Sequence, residues 1–198
     1  MSRTARVERA TDETTIRVAL DLDGTGVANV ETGIGLFDHM LAQLARHSLL
    51  DLEVVASGDL AVDEHHTVED CGILIGRALD QALGDRAGIR RYGDACIPMD
   101  EALARCAIDL AGRAYSAITP RPDPLGGPNP WLELMPHFCE SLAREARVTL
   151  HLDVVGAASV HPHVEAAMKA LARALREAVE PDPRLAATEV PSTKGSLG

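Results

Sequence analysis

Apolar positions along the chain change their period in a fixed order, and that order occurs twice. From Phe37, FDHMLAQLARHSLL carries apolar residues at helical spacing, DLEVVAS alternates like a half-buried strand, and HHTVEDCGILIGRAL returns to the helical period after a short loop. From Met135 the same succession reads MPHFCESLAREARV, TLHLDVV, GAASV and HPHVEAAMKALARAL. His39 and His137 mark the starts of the two leading helices, and 98 residues separate them, while 96 separate Glu69 from Glu165. Strand-like stretches precede each leading helix: TTIRVALDLDG and GVANVETG in the first half, ARCAIDLAG and AYSAITP in the second. Each half therefore reads as strand, strand, helix, strand, helix, with residues 1–95 and 96–198 as the two half-repeats of one compact α+β unit.

The helical stripes predict which faces are buried. Val68, Ile75, Leu79 and Leu83 form one stripe, and Val164, Met168, Leu171, Leu175 and Val179 form the other. Two such halves cover their sheets best by burying helices against each other. The proline- and glycine-rich TPRPDPLGGPNPW cannot continue a helix or a central strand and predicts a surface loop, with residues 120–135 as its extent.

Composition excludes several function classes. A formal charge of -11 argues against general attraction to nucleic acid or an acidic membrane, so any anionic ligand must be gripped locally. Aromatic residues make up 3% of the chain, too few for a base-stacking platform. Cys71, Cys96, Cys106 and Cys139 form no C-x-x-C pair and read as reduced small hydrophobes. The polar opening MSRTARVERATDETT lacks the apolar centre of a signal peptide, and no apolar run approaches the roughly 18 residues of a membrane span, which predicts a cytoplasmic protein.

The repeat also carries chemistry. His39, His65, His66 and Glu69 recur as His137, His161 and Glu165, a coincidence that packing alone does not require. At about 100° per residue, Glu69 falls about 40° from His65 and His66 about 100°, so the carboxylate lies between two imidazoles and one helix face can serve two metals. Imidazole with carboxylate suits Mn, Fe, Co, Ni or Zn, and the lack of thiolate argues against a structural zinc site. The alternative is a polar network between subunits. His47 follows helical sequence and reads either as a substrate contact or as a helix cap, whereas His151 alternates with apolar neighbours and should face solvent.

These segments resemble the imidazoleglycerol-phosphate dehydratase family. The likeness rests on TGIGLFDHMLAQLARHSLLDLEV, GDLAVDEHHTVEDCGILIGRALDQALGD, GIRRYGDACIPMDEALARCAIDLAGR, HFCESLAREARVTLHL, EAAMKALARAL and PSTKG, which cover most of the chain. It implies two similar halves, each a four-stranded sheet backed by helices, and a hydro-lyase of histidine biosynthesis that dehydrates imidazole glycerol phosphate to imidazole acetol phosphate. It further implies two manganese ions and a cubic homo-oligomer of 24 subunits assembled from trimers. In such enzymes the imidazole ring, bound as an anion between metals acting as Lewis acids, supplies the electrons that expel the hydroxyl. Carried onto this sequence, the metal ligands are His39, His65, His66, Glu69, His137, His161 and Glu165. The phosphate falls to Arg91, Arg113, Lys169, Ser192 and Lys194, and Gln43 resembles a substrate contact. Glu13 resembles the acidic residue that reaches a neighbouring subunit's site as general base; Glu69 and Glu165 complete the catalytic set.

One departure stands out. Relatives carry His-His before x-x-Glu in both halves, whereas the second box here reads His161, Pro162, His163, Val164, Glu165, and the preceding GAASV lacks the usual Asn or Asp. Proline offers no ring nitrogen to a metal. On a regular helix His163 points about 200° from His161, away from the metals. Because proline is tolerated in a first turn, the helix is expected to start at Pro162, with one metal position weakened; the alternative that such a start leaves open is that His163 swings toward the vacated ligand position. Two other readings follow from the altered box: a dehydratase of this fold serving another pathway, and a weakly active subunit that binds metal or builds a shell.

Overall fold

The computed structural model describes residues 3–119, 129–156 and 159–197. The first half runs β1 (Thr4–Ala10), β2 (Thr14–Asp21), β3 (Ala28–Glu31), α1 (Gly35–Ser48), β4 (Asp51–Gly58) and α2 (His65–Leu83). The second repeats it as β5 (Tyr92–Met99), β6 (Ala102–Asp109), β7 (Tyr115–Thr119), α3 (Trp131–Glu145), β8 (Thr149–Val155) and α4 (Val160–Val179). Strand order is β1-β2-β4-β3 in one four-stranded sheet and β5-β6-β8-β7 in the other. β3 and β7 each run parallel to their neighbour, and the remaining pairs are antiparallel. The duplication read from the sequence is therefore a duplication of topology.

The residue pattern predicts three strands in each half, and the structure has four. The missed strands are β1 and β5, which open their sheets as edge strands. Alternation is weak in both: β1 turns only Ala5 fully inward, and β5 carries Pro98 and a glycine. Proline is tolerated on an edge, where its missing amide costs no ladder bond. Gly93 is required, because a Cβ there would stand 2.0 Å from the Ala174 carbonyl oxygen of α4. β5 spans the 95/96 division and pairs wholly within the second sheet.

Two helix starts differ from expectation. α1 begins at Gly35 and α3 at Trp131, so His39 and His137 lie inside their helices rather than at the heads. Trp131 explains the early start of α3: its indole is buried, 6.0 Å from the Phe37 ring, which meets Phe138 edge-on at 5.4 Å. That aromatic contact offsets the intrahelical bond that Pro136 removes. Of the expected loop, residues 120–128 lie outside the described residues, and so do 157 and 158 of GAASV.

Both apolar stripes are buried in full, Met168 included. Each sheet carries its own pair of helices, and the pairs face each other across the halves, α2 against α3 and α1 against α4. Charged side chains fasten the first crossing at its far end. Arg86, almost wholly buried, pairs with Asp80 and donates to the Ala146 carbonyl at 2.9 Å, while Arg77 meets Glu145 at 2.8 Å. Three of the four cysteines are buried and Cys96 is exposed, and all four are free thiols. Burial pushes the Cys106 thiol up to about 12.

Close approach at the α2–α3 crossing depends on Gly72 and Gly76, one turn apart. A Cβ would meet the Phe138 carbonyl oxygen at 2.8 Å from the first and the Leu142 carbonyl oxygen at 2.6 Å from the second. Replacing Gly76 with Ala should improve helix propensity by about 1 kcal/mol, yet overpacking against backbone costs about 1–3 kcal/mol. We expect Gly76→Ala to lower the thermal midpoint. A higher midpoint would mean that the helices are not in this contact.

Candidate active site

Helix packing across the halves assembles two like groups. In the first, α2 supplies His65 and Glu69 and α3 supplies His137; in the second, α4 supplies His161 and Glu165 and α1 supplies His39. Within each group one potential ligand atom from every residue lies within 4.8 Å of the others. Neither half contains a whole group. The i, i+4 spacing aligns His with Glu along one helix, and the facing helix of the other half brings the remaining imidazole.

The groups differ in how their atoms are satisfied. Glu69 stands 3.8 Å from His65 Nε2 and 3.6 Å from His137 Nε2, with Arg144 at 3.9 Å. The His65 and His137 rings stack at 4.5 Å, and His137 Nε2 is buried with no hydrogen-bond partner. Glu165, by contrast, is buried and well partnered: His161 Nε2 at 2.8 Å, His39 Nε2 at 3.3 Å and Lys169 Nζ at 2.7 Å. Burial alone would raise its pKa, but the hydrogen bonds from Lys169 and His39 outweigh it and hold the carboxyl below the ordinary range.

His66 joins neither group. Its ring stands 6.0 Å from that of His65 and nearly perpendicular to it, and Nδ1 faces Asp59 at 3.1 Å and Glu13 at 3.7 Å. Glu13 sits at the tip of the β1–β2 turn, which Asp70 of α2 holds through Arg9 of β1 and Thr14 Oγ1 at 2.5 Å. The hydrogen bond to Asp59, with help from Glu13 and Asp63, raises the His66 pKa. Asp59 escaped the sequence reading, although its signal was available: an Asp ahead of the first box, with no counterpart in GAASV. Asp38 escaped it too; its Oδ1 accepts from the Thr32 amide at 2.9 Å and hydroxyl at 2.6 Å, fixing the chain one residue before His39.

Comparison with known proteins decides what this arrangement belongs to. The family model for imidazoleglycerol-phosphate dehydratase matches residues 32–175. The imidazoleglycerol-phosphate dehydratase of Cereibacter sphaeroides is 54% identical over 98% of this chain and all of its own length. That of Salinispora arenicola is 53% identical over the whole of both chains. The chain belongs to the imidazoleglycerol-phosphate dehydratase family. Among solved structures, the Staphylococcus aureus enzyme superposes with a TM-score of 0.78 at 32% identity, covering 90% of this chain and 99% of that one. The Pyrococcus furiosus enzyme, in complex with (S)-C348, gives 0.77 at 33% identity, covering 96% of this chain and all of its own. The fold is thus the family's, and the protein is a lyase.

Against that family, the altered second box takes a definite form. α4 starts at Val160 with Ser159 as its cap, two residues before the expected start at Pro162, so His161 is helical. Pro162 still costs no helix bond, because the first four amides of a helix have no intrahelical partner. His163 is buried on the opposite side, beside Trp131, Met135 and Leu152, where burial lowers its pKa. Pro162 therefore stands where His66 stands in the first box, and no imidazole replaces it.

The residues matched to phosphate recognition are dispersed over the chain. Lys169 is bound to Glu165, one turn along α4 from the second group. Arg91 is held by Asp109, at 2.7 Å from Nε and 3.1 Å from Nη2, and it reaches the Pro191 carbonyl through Nη1 at 2.8 Å. Ser192 is half-buried, whereas Arg113 and Lys194 are exposed. Gln43 Oε1 pairs with His47 Nε2 at 3.0 Å, one turn beyond His39 on α1. His47 is so fixed to its own helix, and His151 is exposed beside the Tyr115 ring. Among the described residues no helix is long and apolar enough to cross a membrane.

Asp59 generates a direct prediction. A group whose folded pKa is raised lends stability that is complete below its unfolded value, near 6.5 for His66, and is lost as pH rises through the folded value. In metal-free Asp59→Asn protein, the His66 resonance should titrate closer to 6.5 than in the wild type. An unmoved titration would remove Asp59 as the cause.

Proposed function

We propose that the chain dehydrates imidazole glycerol phosphate to imidazole acetol phosphate in histidine biosynthesis, with metal ions held by the two His-His-Glu groups. The observation that carries this is the pair of groups itself, each with two imidazoles and one carboxylate whose candidate ligand atoms lie within 4.8 Å of one another. The residues fit a divalent ion: His137 Nε2 is a buried nitrogen without a partner, and the donor set of imidazole and carboxylate suits manganese and its neighbours. Manganese, when bound, supplies Lewis acidity toward the substrate's imidazole ring.

The remaining work falls to side chains. Loss of water requires a proton to leave a carbon that no carbonyl activates, so an oriented base is needed. Glu13 takes that role, with its Oε2 placed next to His66. Gln43 orients the substrate, and Lys169 stands between the second group and the phosphate. Arg91, Arg113, Ser192 and Lys194 hold the phosphate in a protein whose overall charge of -11 repels it. His66 is half-buried, set apart from both groups and turned to Asp59 through Nδ1; we propose that it meets a neighbouring copy in trimers that assemble into a 24-subunit particle. Such a protein would work in the cytoplasm.

One specific observation favours a second reading. Pro162 removes the second-half counterpart of His66, which suits an enzyme of this fold adapted to another hydroxylated azole or reduced to weak activity.

The discriminating assay is water loss from imidazole glycerol phosphate by the purified manganese-loaded protein, alongside metal analysis. Turnover with clearly fewer than two tightly bound ions per chain is expected, and His163→Ala should leave metal content almost unchanged. Absence of turnover with intact metal content would favour the second reading. Two tight ions, one of them lost in His163→Ala, would mean that His163 serves as a ligand after all.

A further inference from the structure

The C-terminal segment that carries Ser192 and Lys194 has little holding it. Short-range bonds shape it into a turn: Ser192 donates its amide to the Val190 carbonyl at 2.7 Å, Gly195 donates to the Ser192 carbonyl at 2.9 Å, and the Lys194 amide donates to Ser192 Oγ at 3.2 Å. Among the described residues, the hydrogen bond from Arg91 Nη1 to the Pro191 carbonyl is the one that ties residues 190–197 to the body of the chain.

Arg91 is itself fixed from all sides. Its backbone lies in the left-handed region at φ 72°, which a residue with a Cβ adopts only when its surroundings impose it. Here the Arg91 amide donates to the Ala178 carbonyl at the end of α4, and its own carbonyl accepts from Leu110 just beyond β6. The guanidinium lies 4.5 Å from the centre of the Tyr92 ring, and both contacts to Asp109 hold it in a fork. Three of its five N–H groups are thereby used, on Asp109 and Pro191, and two remain for an anion.

We infer that Asp109 is a positioning residue for the phosphate end of the site: it aims Arg91 so that one guanidinium both anchors the Ser192–Lys194 turn and presents its free N–H groups beside it. The inference deepens the proposed function and rests on it for the phosphate as ligand. Asp109 touches no substrate in this scheme. It acts through Arg91, whose fork geometry a lysine cannot reproduce. Binding of an anion and ordering of the C-terminal turn are then coupled, because both draw on the same guanidinium.

Asp109→Asn tests this, since it keeps the shape and one acceptor while removing the charge. Inorganic phosphate should slow hydrogen exchange of residues 190–197 in the wild type and have at least tenfold less effect in Asp109→Asn, with Arg91→Lys behaving alike. In steady-state assays KM should rise at least tenfold in Asp109→Asn, more than kcat falls. Exchange of the β6 amides, unchanged, would show that the sheet remains folded; if they are lost, Arg91→Lys carries the test. Equal phosphate protection in wild type and variants would overturn the inference. The exchange arm needs no turnover, so a protein that does not dehydrate imidazole glycerol phosphate would sink the functional reading while leaving this one measurable.

Discussion

Everything at the candidate site depends on how closely a helix of one half approaches a helix of the other. A helix can align His with Glu at i, i+4 on its own face, but a third donor must come from outside it. Here the third donor is an imidazole from the opposite half, brought to His65 and Glu69 by the α2–α3 crossing and to His161 and Glu165 by the α1–α4 crossing. The first crossing is narrow because Gly72 and Gly76 leave no side chain between the helices. Duplication thus has a chemical consequence: a half-length unit would own a sheet and two helices, and no complete group.

The two groups have diverged under this shared geometry. Glu165 is buried among His39, His161 and Lys169, and in the free chain its oxygens are already occupied. Glu69 is more open, and beside it His137 keeps a buried nitrogen without a partner. An unsatisfied buried polar atom costs free energy on the order of 1–3 kcal/mol, which a bound cation would recover. The Asp59–His66 arrangement beside the first group has no counterpart beside the second, where Pro162 stands instead.

Much of this was legible in the sequence because it is periodic. The repeat, the six strands and four helices that the period marks out, and the recurrence of His and Glu at matching positions all survive in the structure. Edge strands were not legible: β1 and β5 bury too few side chains to impose a period on themselves. The start of α3 was hidden by prolines, whose local preference yields to the burial of Trp131 against Phe37. That His163 turns inward follows from helical geometry alone, and α4 starts at Val160 directly after Ser159, which lies in extended backbone and makes no side-chain cap bond. Pairings between distant residues, such as Asp59 with His66 and Asp109 with Arg91, are set by the fold and leave no local pattern.

The proposed metal binding falls where the two halves meet. Diffraction from manganese-loaded crystals, measured on the two sides of the metal absorption edge, tests it directly. An anomalous peak among His65, Glu69 and His137 at full occupancy is expected, with a weaker peak or none among His39, His161 and Glu165. A dominant peak at His163, or one held by residues of a single half, would contradict it.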